Sequence, residues 1–198
     1  MANNVFISFR YSDGIGYKER LSKVFDASTD IINCSEDIDR SMMSDATIKN
    51  YLYGKLSRSS ITIILLTPHA ITHKKNYYNE IDDWIYDEIR YSLEDREYNR
   101  SNGLIAVYTK EAKELLTSYD VSTGVMNIKP VYNLFRKNMM NVKSQFKKNP
   151  NFGIYDANYD SYCSLISYEE FINNPSKYIE IAEEKRNNIY KYNIYKRM

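Results

Sequence analysis

A glutamate occupies a place where the surrounding pattern calls for an apolar side chain. In NEIDDWIYDEIRYSL, residues 79–93, apolar residues fall at Ile81, Trp84, Ile85 and Ile89, the spacing of a helix stripe that faces a core. Glu88 lies on that stripe, four residues after Trp84 and three after Ile85. Burying a carboxylate without partners is costly. The spacing leaves two accounts. Either Glu88 edges the stripe and pairs with Arg90 or a nearby lysine, or the helix lines a cleft here. A carboxylate that stabilises positive charge developing on a sugar is the minimum apparatus for breaking a glycosidic bond.

Other groups that could join it come from RYSDG, which follows the run VFISF. Phe9, Arg10, Tyr11, Ser12 and Asp13 put an aromatic ring, a guanidinium and a hydroxyl in one loop, a set suited to a sugar or nucleotide ligand. Many chemistries are absent. There is no GxxxxGK[ST], no GxGxxG and no HExxH. His69 and His73 are four apart, but they flank the Pro68 loop without a Cys or carboxylate at ligand spacing, so no metal is expected. Neither histidine has the company a serine triad needs. A receiver domain would carry an aspartate at the end of the third strand, where this chain has Leu66, Thr67 and Pro68.

The elements that position these residues alternate. VFISF (5–9) reads as a buried strand, and Tyr17, Leu21, Val24 and Phe25 mark a helix after it. DIINCS (30–35) is a weaker strand. Ile48, Tyr51, Leu52 and Leu56 pattern a second helix, with Ser44 or Asp45 as its N-cap. SITIILL (60–66), apolar on both faces, is a third strand stopped by Thr67-Pro68, and GLIAVY (103–108) a fourth. Strands of this kind separated by helices predict a doubly wound parallel sheet over residues 3–110, with ligands beyond the carboxyl ends of its strands. Residues 111–160 read as an insertion with short helical pieces, in which the basic run 136–149 is expected to be a solvated helix face. YCSLI (162–166) reads as a last strand, followed by closing helices with Pro175 starting the second, and the tail NNIYKYNIYKRM is expected to fray.

Bulk properties exclude several classes. Charges nearly cancel, 27 Lys+Arg against 26 Asp+Glu, so no global field favours nucleic acid or an anionic membrane. The 20 tyrosines scatter along the chain rather than forming a stacking platform. Cys34 and Cys163 fit no zinc or redox spacing and are expected to be free thiols. MANNVFISF lacks a basic leader pattern, and no apolar run approaches the roughly 20 residues of a membrane span. A cytoplasmic protein of one domain, residues 1–198, is the expectation.

Three segments in order carry a family resemblance. VFISFRYSD resembles the opening strand and loop of TIR domains, SRSSITIILLTP their third strand, and WIYDEI the W-x-x-x-E-I segment of the TIR-like branch that includes the Thoeris antiphage system. Ile85 stands where many TIR domains have cysteine, and the loop Asn33 to Asp37 and the insertion at 111–160 find no match. The resemblance implies a flavodoxin-like α/β TIR fold with a central parallel sheet and helices on both faces, extended by the insertion and C-terminal helices. It implies that Glu88 is the catalytic residue of an NAD-splitting enzyme, with Phe9, Arg10, Tyr11, Ser12, Asp13 and Trp84 on the substrate side. It further implies release of nicotinamide, formation of ADP-ribose, a cyclic isomer or a conjugate, and a separate effector protein reached through that signal nucleotide, with a phage-derived trigger. NAD is then substrate, and no cofactor or metal is expected. Two other readings stand beside it: a non-catalytic TIR-type interaction module, and another glycosidic-bond enzyme such as a nucleoside deoxyribosyltransferase-like protein.

Overall fold

The computed structural model describes residues 2–35, 45–72, 84–95, 100–122, 125–128, 133–149, 151 and 155–196. Five parallel strands form the central sheet: β1 (Asn3–Ser8), β2 (Ile31–Asn33), β3 (Ile61–Leu66), β4 (Gly103–Tyr108) and β7 (Cys163–Ser167), in the order β2-β1-β3-β4-β7. Order reverses at β1: the chain steps out to β2 and returns across β1 to β3. The β1–β3 seam is therefore the switch point at which such sheets open a crevice.

Alternation along the strands divides the core. Val5, Ile7, Ile61, Ile63 and Leu65 face α1 (Tyr11–Asp26) and α8 (Pro175–Asn187), packing on Leu21, Phe25, Tyr178 and Ile179. Ile64 and Leu66 face the other way and pack on Ile85, Ile89 and Leu93 of α4 (Trp84–Leu93). On that second face α4 lies between α2 (Asp45–Arg58) and α6 (Asn133–Lys137). Both faces of β3 are covered, which is why its sequence is apolar throughout.

Local chemistry sets the ends of the helices. Thr67 does more than end β3: its Oγ1 accepts from the Ala70 N–H at 3.3 Å and caps the short α3 (Pro68–Ile71). Ser167 Oγ caps α7 (Tyr168–Asn173) in the same way, and Pro175 opens α8 beneath an Asn174 cap, as its position in the sequence predicted. The amino-terminal part of the helix expected at 79–83, with Ile81, lies outside the described residues, as do Ser44, His73, Pro130, Pro150 and the side chain of Trp84.

The C-terminal half departs from expectation in three places. After α5 (Lys113–Leu116), β5 (Thr117–Asp120) and β6 (Val125–Ile128) form an antiparallel pair where only short helices were foreseen. The run 136–149 is helical only to Lys137. Asn138 and Asn141 turn inward, and their amide groups bond the Tyr195 and Asn193 carbonyls at 2.9 and 3.0 Å, which competes with continuing the helix. Met140 takes φ of 47° at the break, and Ser144–Phe146 is a single 3-10 turn. For the same reason the tail does not fray through residue 196. Tyr192 is buried, bridges to Val142 and donates from its hydroxyl to the Tyr159 carbonyl at 2.7 Å.

Candidate active site

Glu88 is 6% exposed, so the stripe reading holds: the carboxylate sits on the buried side of α4. A directed chain of hydrogen bonds fixes its turn. Ser92 Oγ donates to the Glu88 carbonyl at 2.7 Å, so the Thr62 hydroxyl must donate to Ser92 Oγ at 2.8 Å. Thr62 in turn accepts from Asn102 Nδ2 at 3.0 Å, while the Asn102 N–H donates to the Ser92 carbonyl at 2.7 Å. Helix α4 is thereby pinned to β3 and to the residue that leads into β4.

This anchoring sets the height of Glu88 on the sheet. Helix α4 runs antiparallel to β3, and Ser92 lies at the level of Thr62. Four residues back along the helix is about 6 Å, and two residues forward along the strand is about 6.6 Å. Glu88 thus reaches the level of Ile64, whose partner across the β1–β3 seam is Ser8. Sideways, Tyr91 stacks flat on Tyr53 of α2, with ring centroids 3.8 Å apart and planes 2° from parallel. Glu88, three residues before Tyr91, shares that flank, and α2 packs over β1. Residue 88 therefore lies on the α2-facing flank of α4, toward the switch-point seam.

Ser8 is the residue that sequence reasoning missed. It ends β1 facing α4, is buried, and its Oγ has no hydrogen-bond partner among the described residues. A buried hydroxyl left in that state is costly and invites a ligand contact. The signal was present as one hydroxyl inside the apolar run VFISF, next to a strand's carboxyl end. Arg90, the partner that spacing offered for Glu88, is engaged by Glu94 at 2.8 Å, Asp87 at 3.6 Å and the Tyr53 hydroxyl at 3.1 Å.

The loop residues divide between roles. Phe9 packs with the α1-side core, against Gly14, where an added Cβ would stand 3.2 Å from the Phe9 ring; it lies across the sheet edge from Glu88. Arg10 is half-buried and N-caps α1, its carbonyl accepting from the Gly14 N–H at 2.8 Å. Tyr11, Ser12 and Asp13 form the first turn of α1 rather than a loop. Asp13 accepts from Thr67 Oγ1 at 2.7 Å and from the His69 N–H at 2.8 Å, and Ser12 Oγ lies 3.0 Å from His69 Nδ1. These two tie β1–α1 to β3–α3 across the seam and so hold its carboxyl edge. Tyr11 is exposed beside Phe9, with ring centroids 6.4 Å apart. Behind them the Tyr17 hydroxyl donates to Glu111 at 2.9 Å; burial first, and then that bond, push the Tyr17 phenol above its ordinary range.

A family model described as Thoeris protein ThsB, TIR-like domain, matches residues 6–114, more than half of the chain. The chain belongs to the TIR-like domain family of the Thoeris protein ThsB. This TIR-like domain is thus a component of antiphage defence. The matched span runs from β1 into α5 and contains Ser8, the Asp13 tie and Glu88; β7, α7 and α8 lie beyond it. The likeness drawn from VFISFRYSD, SRSSITIILLTP and WIYDEI is borne out for family and fold. Among the described residues no group of His, Cys, Asp and Glu could hold a metal, and no helix is long and apolar enough to cross a membrane.

Proposed function

We propose that this TIR-like domain cleaves the bond between nicotinamide and ribose in NAD, with Glu88 as the catalytic residue. The observation that carries the reading is a glutamate on the buried side of α4, level with a Ser8 hydroxyl that has no hydrogen-bond partner among the described residues, at the switch-point seam. Nicotinamide leaves with the electrons of the C–N bond and becomes neutral as it does so, so no general acid is required. Glu88 holds the ribose hydroxyls and stabilises the oxocarbenium-like charge that remains. Ser8 adds a hydrogen bond at the same level. Arg10 at the rim meets a phosphate oxygen, and Phe9 borders the cleft from the far side of the sheet edge. NAD is the substrate, with no separate cofactor.

The second nucleophile decides the product. Water adds its oxygen to the sugar carbon and loses a proton, giving ADP-ribose; a ring nitrogen of the same molecule closes a cyclic ADP-ribose isomer. A soluble nucleotide of the cyclic kind fits the defence context, in which a separate effector protein reads the signal after phage infection.

Purified protein, alone and mixed with lysate from phage-infected cells, is incubated with NAD while nicotinamide and ADP-ribose species are followed by mass spectrometry. Release that Glu88→Gln abolishes supports the enzyme, and the product mass names the nucleophile. Nicotinamide release at the same rate from Glu88→Gln, or none from the wild type under either condition, would favour a non-catalytic interaction module.

A further inference from the structure

A pocket of about 390 Å³ lies between the carboxyl-terminal part of α8 with the 3-10 turn after it and the residues Val142, Phe146, Lys148 and Tyr159. Its anchor is Lys185 of α8. This side chain is 2% exposed, and its Nζ donates to the Ser161 carbonyl at 2.7 Å and to Ser164 Oγ at 2.6 Å, both at the amino-terminal end of β7. An ammonium carries three N–H donors, and acceptors among the described residues take two of them. No carboxylate among those residues comes within 4.0 Å of it. A buried charge with only neutral partners is costly unless an anion completes its shell.

Asp156 and Glu184 act on this ammonium from beyond ion-pair distance and do not complete its shell. Among the described lining residues Glu184 is the one carboxylate, beside three lysines, Lys148, Lys185 and Lys191. Asp156 is held by Lys148 at 2.9 Å, and Asp160 accepts the N–H groups of Lys148 and Asp156 at 3.1 and 2.8 Å. Aromatic faces make up much of the rest. Tyr159 presents its ring 4.3 Å from the Lys148 ammonium, and Phe146 and Tyr192 also line the cavity. Rings beside cations recognise a planar ligand that carries negative charge, and the volume lies within the range of small-molecule sites.

We propose that this pocket is a second ligand site that takes a planar aromatic ring bearing a phosphate, an anion of the nucleotide type, with Lys185 and Lys191 meeting the phosphate and the aromatic side chains meeting the ring. The site stands at the amino-terminal end of the edge strand β7, whereas Glu88 lies toward the carboxyl ends on the side of the β1–β3 seam. Its occupancy is independent of the chemistry proposed for Glu88.

Titration calorimetry of the full chain tests this with ADP as the probe, and with adenosine and inorganic phosphate as separate arms. Saturable ADP binding is expected, weakened about tenfold or more by Lys185→Met and by Lys191→Glu, with adenosine and phosphate each binding more weakly than ADP. Lys191 is half-exposed, so its variant keeps the buried core intact and tests the site even where Lys185→Met disturbs folding. Three outcomes overturn the proposal: no saturable heat with ADP at about 1 mM, ADP binding unchanged in both variants, or phosphate alone binding as tightly as ADP.

Discussion

Replacing Ser92 by alanine removes the hydroxyl that joins the turn of Glu88 to the sheet, and its cost can be worked from the bonds involved. Ser92 Oγ accepts from Thr62 at 2.8 Å and donates to the Glu88 carbonyl at 2.7 Å. The second loss is small, because that carbonyl keeps the helical N–H of residue 92 as a donor. The first is not, because the buried Thr62 hydroxyl is left without its acceptor, at about 1–3 kcal/mol. Alanine's better helix propensity offsets roughly 0.5 kcal/mol. The net expectation is a destabilisation of about 0.5–2.5 kcal/mol, or roughly 1–10 °C in Tm for a domain of this size. Thr62→Val, which deletes the other hydroxyl at nearly the same volume, should cost less in the Ser92→Ala background than alone, with a coupling on the order of 1 kcal/mol. Urea denaturation of the four proteins measures it. Additive effects, or a Ser92→Ala protein as stable as the wild type, would refute the hydrogen-bond chain.

Three further outcomes are expected. Ser8→Ala should leave stability unchanged or raise it by about 1 kcal/mol, since it deletes a buried hydroxyl without a partner among the described residues; nicotinamide-release kinetics should show a higher KM for NAD, and a loss of stability with KM unchanged would count against a ligand role. Gly103→Ala should lower Tm by several degrees in a thermal melt, because the new Cβ would stand 2.6 Å from the Ala182 carbonyl oxygen of α8 and 2.8 Å from Ile61, an overpacking cost of about 1–3 kcal/mol. The third concerns pH. Burial pushes Lys185 down to about 8 from 10.5. Below pH 8 both states are protonated and the burial penalty is constant; between about pH 8 and 10.5 the unfolded chain holds more protons than the folded one, so this group's contribution to stability rises with pH. The stability of the wild type relative to Lys185→Met should rise by on the order of 2 kcal/mol between about pH 7.5 and 9.5, and a flat difference in denaturation across that range would contradict it.

Much of the matched half could be read from the sequence because its signals are local. ITIILL and GLIAVY are β-rich runs covered on both faces, and their strands fall within a residue of the expected limits. The buried setting of Glu88 followed from the helical period alone. Ser8 escaped because a single hydroxyl in VFISF looks like ordinary strand composition; what marks it is the partner strand's Ile64 and the height of α4, both tertiary facts. The stretch RYSDG reads as a loop by composition, yet Tyr11, Ser12 and Asp13 open α1 and Asp13 finds its acceptor role across the seam at Thr67 and His69. The strands TSYD and VMNI are four residues each and show no sustained alternation. The tail was misjudged because Tyr192 is fixed by Val142, fifty positions earlier in the chain, and no local pattern encodes that pairing.

Nucleotide extracts of phage-infected cells that carry either the wild-type chain or Glu88→Gln test the central claim most directly. The account predicts an ADP-ribose-derived nucleotide, with loss of NAD, in the wild type alone. The same nucleotide in both, or none in cells that the wild type protects from phage, would contradict it.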